Sequence, residues 1–303
     1  MESDAEIKIK IADITICFDR NGIDFGIELG RAYEPFFVDS HPDLITHLKE
    51  DIPDFPSKEV VFDAAPVWSL YREGNRSIIE AFPEEEIPFL ERVLVFDPSF
   101  RSTDLYIRPN PAYSSRPLDP LMFPVGELLM INFLAPNRGV ILHSCGIEVD
   151  GEGILFVGIS GAGKSTWASM CEKEGNATIL SDDRIIVRKT DGVFWMYGTP
   201  WHGDVKLASP RGVPLKKVFF IRHDVENTAK KLAGIEAVSK YLVCSFPPFW
   251  NPEGMQFTLG FLSDLSSRVP GYDLGFLPES TAIDFASIGR YLKAPVHGIR
   301  YFE

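Results

Sequence analysis

The first part of the chain, about 120 residues, carries short apolar runs that favour β-strands. Residues 7–11 alternate apolar and charged side chains with period two, which is the pattern of a half-buried strand. Further strands are predicted at residues 67–71, 77–80, 92–96 and 105–108. The first two of these flank Gly74-Asn75, a turn signal. The pattern predicts a small β-rich (α+β) domain, in which we find no motif that carries chemistry.

Prolines are concentrated in residues 109–124, which contain five of them. Each proline removes a backbone donor and fixes φ, so this segment fits neither a regular helix nor a central strand. We therefore predict a domain boundary there, with a β-rich domain at 1–124 and a second domain at 125–303.

The second domain alternates helical and strand patterns. It begins with an apolar helix that Pro136 ends, and two apolar runs then flank Asp150-Gly151, a strong hairpin signal. Strands are predicted at 139–149, 153–157, 177–183, 217–221 and 272–277, and helices at 126–135, 165–174, 235–243, 254–269 and 281–292. This alternation predicts an α/β fold.

Composition and charge narrow the classes of partner. The 303 residues are 45% hydrophobic and 24% charged, as in globular proteins, and the formal net charge is −13. So acidic a surface repels phosphate backbones and anionic lipid, so we expect neither nucleic acid nor membrane as a partner. The four cysteines (Cys17, Cys145, Cys171 and Cys244) show no paired or metal-ligand spacing, which predicts a reduced, cytoplasmic protein.

The strongest signal is a glycine-rich loop after the strand at 153–157. Gly158, Gly163, Lys164 and Ser165 fit the Walker A pattern G-x-x-x-x-G-K-[ST]. Glycines let successive N–H groups turn toward phosphate oxygens, the lysine reaches the β- and γ-phosphates, and the serine hydroxyl can bind Mg²⁺. The N-terminus of the helix that follows carries a partial positive charge, which also favours a bound phosphate. The predicted nucleotide-binding residues are Gly158, Ser160, Gly161, Ala162, Gly163, Lys164, Ser165 and Thr166.

Two adjacent carboxylates, Asp182 and Asp183, end the next predicted strand. Strand ends beside a phosphate loop face the ligand crevice, where one carboxylate can hold Mg²⁺ and the other can orient or deprotonate a hydroxyl. Without the loop, the same pair would more simply shape a turn. Arg184 fits equally a phosphate contact and an ion-pair partner of the aspartates.

Three further features leave alternatives open. A single histidine in a strand, such as His143, is more often packed in a core than catalytic. The segment 201–204 suits both an active-site rim and a packed turn. The aromatic run 246–250 favours a packed loop or lid base over a substrate clamp.

The second domain resembles the HPr kinase/phosphorylase family in the order of three features: His143, the loop 158–166 and the pair Asp182-Asp183. It is more closely similar to bacterial HPr-kinase-like proteins of about this length. The likeness covers residues 125–303 and implies a P-loop kinase core of the kind shared with phosphoenolpyruvate carboxykinase. The family's later Glu-Ile-Arg-Gly signature, tied to its acceptor protein and to phosphorolysis, has no counterpart here.

The resemblance also implies roles for single residues. Lys164 would bind phosphate, and Ser165 and Asp183 would bind Mg²⁺. Asp182 would be the general base toward the acceptor hydroxyl, and His143 would lie beside the reacting phosphoryl group. The family also suggests a homo-oligomer.

The sequence thus predicts an ATP-dependent, Mg²⁺-requiring kinase that phosphorylates a hydroxyl of a protein serine or a small molecule. The alternative is a regulatory module that binds ATP or GTP and transfers nothing. A carboxykinase-type enzyme would need a carboxylate-binding arginine and extra metal ligands, which we do not find.

Overall fold

A computed structural model describes residues 6–21, 23–82, 92–100, 102–108, 117–174, 177–203, 207–278 and Ala282. The chain is a mixed α/β protein that divides into two compact units, residues 1–133 and 134–303. Each unit contains one multi-stranded sheet. In the described part of the chain, no helix is both long enough and apolar enough to cross a bilayer.

The first unit is built on a sheet with the strand order β1-β2-β3-β8-β7-β6-β5-β4. Its strands are β1 (Glu6–Ile11), β2 (Ile14–Asp19), β3 (Leu44–Lys49), β4 (Glu59–Ala64), β5 (Trp68–Glu73), β6 (Arg76–Ala81), β7 (Arg92–Phe96) and β8 (Ser102–Ile107). A 3-10 helix at Arg31–Phe36 and helix α1 (Val125–Leu134) complete its described elements. The strands predicted in this region are all confirmed, and Gly74 makes the β5–β6 turn with a φ of +61°.

The second unit begins with the predicted hairpin, in which Asp150 and Gly151 both have positive φ. Its strands are β9 (Val140–Val149), β10 (Glu152–Val157), β11 (Thr178–Ser181), β12 (Arg184–Thr190), β13 (Val193–Tyr197), β14 (Gly212–His223), β15 (Thr228–Leu232) and β16 (Gly271–Phe276). Its helices are α2 (Lys164–Glu174), α3 (Gly234–Val243) and α4 (Pro252–Arg268).

The pairings in this unit close a ring. Strand β9 pairs with β10 through its second half and with β12 through its first half. Strand β14 pairs in the same way with β13 near its start and with β10 further along. Because β12 also pairs with β13, the five strands form a closed circuit. The circuit places the ends of β10 and β14 beside each other at the glycine-rich loop, and β11 pairs with β9 outside the circuit.

Two apolar clusters lie on opposite sides of the central strands. Leu155 and Val157 of β10 belong to the cluster that includes α3 and α4, whereas Ile154 and Phe156 belong to the cluster that includes Trp167 of α2. Strands buried on both faces read as continuous apolar runs, which explains the sequence of β10.

Most predicted elements of this unit are confirmed, with several differences. The strand predicted at 177–183 ends at Ser181, and strand β15 was not predicted. The strand predicted at 217–221 extends over Gly212–His223, and the hairpin β12–β13 was not predicted. The predicted helix 281–292, apart from Ala282, lies outside the described residues, as do residues 109–116 of the proline-rich segment.

Candidate nucleotide-binding and catalytic site

The glycine-rich loop joins β10 to α2, and its glycines are required by local geometry. Gly161 and Gly163 have φ of +79° and +103°, which side chains other than glycine rarely adopt. At Gly158, a Cβ would lie 2.7 Å from the Cβ of Ala162. The loop closes with a hydrogen bond from the Ala162 N–H to the Ile159 carbonyl at 3.1 Å. The sequence therefore builds a tight turn in front of a helix.

Lys164 opens helix α2 and folds back over the loop. Its Nζ donates to the carbonyls of Gly158 at 3.0 Å and Ile159 at 3.1 Å, and the residue is only 7% exposed. Burial lowers the pKa of this ammonium, against the opposing effect of nearby Asp183. An anion bound in the loop would supply the charge compensation that two neutral carbonyls do not.

Asp182 lies in the bend after β11 and points toward the start of α2. Its carboxylate is buried, at 1% exposure, and accepts hydrogen bonds from the Ser165 hydroxyl at 3.3 Å and the Gly203 N–H at 2.7 Å. A Cβ on Gly203 would lie 2.9 Å from the Asp182 Oδ2, so this position accommodates only glycine without displacing the carboxylate. The bend therefore holds Asp182 against the predicted metal-binding serine.

Asp183 has a different set of partners. Its Oδ1 lies 3.0 Å from His143 Nε2, and its other oxygen pairs with Arg184. Burial raises the pKa of Asp183, but the hydrogen bond with His143 and the charges of Arg184, His143 and Lys164 outweigh it, so the pKa is lowered. Of the two readings of Arg184, the ion pair with an aspartate is the one observed.

Phe246, in the aromatic run 246–250, packs beside Arg184 and His143, the two partners of Asp183. The Arg184 guanidinium lies 5.1 Å from the centre of its ring, and the His143 ring lies 6.2 Å from it. The Phe246 N–H also donates to the Ile141 carbonyl of β9 at 3.0 Å. The segment is therefore tied to β9 beside the site, which agrees with a packed loop.

The Ser181 side chain holds the bend that contains the two aspartates. Its Oγ donates to the Trp201 carbonyl at 2.9 Å and accepts from the N–H groups of Asp183 and Arg184, each at 3.4 Å. Residues 201–203 are thus packed against the bend, and Gly203 also lines the cleft. Asp204, the remaining carboxylate of that segment, lies outside the described residues.

The loop, His143 and the two aspartates line one cleft with a volume of about 370 Å³. The predicted site residues that line it are His143, Ser160, Gly161, Gly163, Lys164, Ser165, Thr166, Asp182 and Asp183. Gly158 and Ala162 lie on the other side of the loop and line a second cavity instead. The cleft therefore joins nearly all of the predicted residues, from three separate segments of the chain.

Two residues that line the cleft, Gly203 and His223, were not predicted as site residues. His223 ends β14, which runs parallel to β10 and is paired with it. Because the carboxyl ends of parallel neighbours meet at one sheet edge, the position of His223 after an apolar strand was a usable signal. Gly203 gave none, since its role depends on a contact with Asp182.

Comparison with known proteins does not assign the chain. No known protein family matches it, and neither does any curated protein. The likeness to the HPr kinase/phosphorylase family therefore stays a prediction, and any assignment of function depends on the cleft.

Proposed function

We propose that the unit at 134–303 is an ATP-dependent, Mg²⁺-requiring phosphotransferase that acts on a hydroxyl of a protein serine or a small molecule. The observation that carries the proposal is the shared cleft, in which a glycine-rich loop and its lysine face two differently partnered aspartates. A binding loop alone would fit a nucleotide module. The buried carboxylate of Asp182, the half-buried carboxylate of Asp183 and the neighbouring His143 are the additional groups that transfer needs.

The loop supplies a phosphate cradle. Backbone N–H groups at the start of α2 and the positive end of that helix favour an anion, and Lys164 adds a full charge at the same point. Phosphate oxygens would replace the carbonyls of Gly158 and Ile159 as acceptors for the lysine. The ammonium carries its charge in both arrangements, but phosphate oxygens are negatively charged and carbonyl oxygens are not. The exchange therefore adds a direct attraction between opposite charges.

The residues present also fit Mg²⁺. Ser165 Oγ and Asp182 Oδ2, 3.3 Å apart, are the oxygen ligands that this ion prefers. Among the described residues, no group of three or more His, Cys, Asp or Glu side chains could hold a metal by itself. Mg²⁺ commonly takes its other ligands from phosphates and water, and bound there it would neutralise charge on the nucleotide phosphates.

The contacts suggest a division of labour between the aspartates that differs from the predicted one. The resemblance implies Asp182 as general base and Asp183 as metal ligand, but Ser165 pairs with Asp182. Asp183 is instead held ionised by His143 and Arg184. This arrangement favours Asp182 beside the metal, with Asp183 and His143 left to orient the acceptor hydroxyl and receive its proton.

The first experiment measures phosphate transfer from γ-labelled ATP with Mg²⁺ into fractionated host lysate, with Lys164→Ala as the control. Label in a protein or small-molecule fraction that is lost in the control supports the kinase and identifies the class of acceptor. Saturable nucleotide binding without transfer to any fraction would contradict it and leave the regulatory module.

Two variants then separate the aspartates, once an acceptor fraction is known. If Asp182 is the base, Asp182→Asn abolishes transfer, by about 10²- to 10⁴-fold, without changing the Mg²⁺ dependence of nucleotide binding. If it is the metal ligand, the same variant raises the Mg²⁺ concentration required, and Asp183→Asn carries the loss of transfer. Full activity in both variants would refute catalysis by this pair.

A further inference from the structure

A second cavity lies behind the glycine-rich loop, with a volume of about 480 Å³. It is bounded by the outer side of the loop at residues 157–162, by the end of β14 and by the last turns of α3. A cavity of this size is in the range that holds small-molecule ligands. The proposed transfer reaction assigns nothing to it.

The cavity and the cleft share a boundary. Ser160, Gly161 and His223 line both of them. At Gly161 a Cβ would meet no atom within 4 Å, so the loop leaves open space at the point where the two volumes meet. A ligand with phosphates in the cleft can therefore extend past this glycine into the cavity.

The lining of the cavity is suited to a neutral ring rather than to another phosphate. Ile159 and Val243 come from different elements, line the cavity, and are 60% and 72% exposed. Its two cationic side chains are already paired. Lys240 Nζ lies 2.8 Å from Asp273, and Arg222 pairs with both Asp273 and Asp224. The other polar side chains of the lining are Ser160, Ser239 and His223, and the rest is apolar surface that a flat heteroaromatic ring would cover.

The acceptor fits this cavity poorly. His143, Asp182 and Asp183 line the cleft and not the cavity, so a hydroxyl bound here would lack the groups that handle its proton. The terminal phosphate of the nucleotide donor belongs beside those groups, and the nucleoside end of the donor belongs on the far side of the loop.

We propose that the second cavity holds the base and ribose of the nucleotide donor, with the ring between Ile159 and Val243. This inference rests on the proposed function, because it assigns the donor's nucleoside to a place next to its phosphates. In this arrangement the polyphosphate crosses the loop at Gly161 and reaches the aspartates with its terminal group.

The test compares ATP with inorganic tripolyphosphate by calorimetry in Mg²⁺ buffer. Val243→Trp fills the cavity and should weaken ATP binding by about tenfold or more, while leaving tripolyphosphate affinity unchanged. Ile235→Trp is the matched control, because Ile235 lies on the same helix, is 80% exposed and does not line the cavity. It should change neither affinity.

A second measurement does not depend on the tryptophan variant folding. Adenosine, which has no phosphate, should bind the native protein and Lys164→Ala equally, and Val243→Ser should weaken it about threefold or more.

The outcomes separate the two proposals. If ATP and tripolyphosphate bind equally tightly to the native protein, or if Val243→Trp affects both alike, the phosphate cradle stands and the nucleoside cavity is refuted. If neither compound binds, both proposals fail.

Discussion

Two glycines of the loop offer a test of the site geometry, because both have positive φ and they differ in their surroundings. Gly161 has φ of +79° and no atom within 4 Å of the position of a Cβ. Gly163 has φ of +103°, and a Cβ there would lie 2.5 Å from Cζ of Phe276 and 3.1 Å from Cε1 of His223. Alanine at either position tests backbone strain, but only alanine at Gly163 also tests a collision.

The magnitudes follow from these two contributions. An L-residue with left-handed backbone costs about 1–2 kcal/mol, which both variants incur. The collision at Gly163 adds about 1–3 kcal/mol, as overpacking does in a dense core. Phe276 is fully buried and its ring centre lies 5.3 Å from that of Trp167, so it has little room to move. Gly161→Ala should therefore cost about 1–2 kcal/mol, and Gly163→Ala about 2–5 kcal/mol.

The assay should report on this unit alone, because a chain with two units need not unfold in one step. Hydrogen exchange of the amides in β10 and α2, followed by mass spectrometry, gives a local free energy of opening. The change of unfolded-state entropy on replacing glycine by alanine is similar in both variants and cancels in their difference. Equal destabilisation, or a larger effect at Gly161, would refute the packing described around Gly163.

Three further predictions concern the same unit. The Tyr241 hydroxyl is buried without a hydrogen-bond partner among the described residues, and burial raises its pKa. Tyr241→Phe should therefore raise the free energy of unfolding, measured in urea, by about 1 kcal/mol. A decrease would show that the hydroxyl does have a hydrogen-bond partner. The pKa of Asp183 lies below its ordinary value of 3.8, so its contribution to stability is present above about pH 4 and is lost as the pH falls through the lowered pKa. Asp183→Asn should remove that acid-dependent loss from a thermal unfolding series, and an unchanged profile would contradict the ion pairing. Gly203→Ala should displace the Asp182 carboxylate and lower phosphate transfer about tenfold with nucleotide binding retained, whereas native transfer would show that the contact is not needed.

Elements with a local signal could be predicted from the sequence. The β9–β10 hairpin follows from Asp150-Gly151, which takes the two positive φ values that such a turn requires. The loop before α2 follows from its glycines and lysine. The β12–β13 hairpin carries the same signal in Asp191-Gly192, with φ of +52° and +79°, so this hairpin too has a local signal in the sequence.

Features that depend on distant contacts could not be predicted in this way. Strand β14 runs through Pro214 and begins five residues before the predicted start at 217, because its first residues pair with β13. Phe246 lies beside His143 because the backbone after α3 bonds to β9, and no pattern within 246–250 indicates this. The second cavity depends on α3 lying behind the loop, which is equally a property of the tertiary fold.

The two aspartates show most clearly where a motif stops being informative. Asp182 and Asp183 are adjacent in the sequence, and either could be assigned either role from the motif. In the structure β11 ends just before them and β12 begins just after, so both lie in a bend whose N–H groups bond to Ser181. The bend turns one carboxylate toward Ser165 and the other toward His143, which is opposite Arg184 in the register of β9 and β12. The chemistry of each aspartate therefore depends on the strand or helix that its carboxylate faces. Pairing between strands that are distant in the sequence determines this direction, and the neighbouring residues do not.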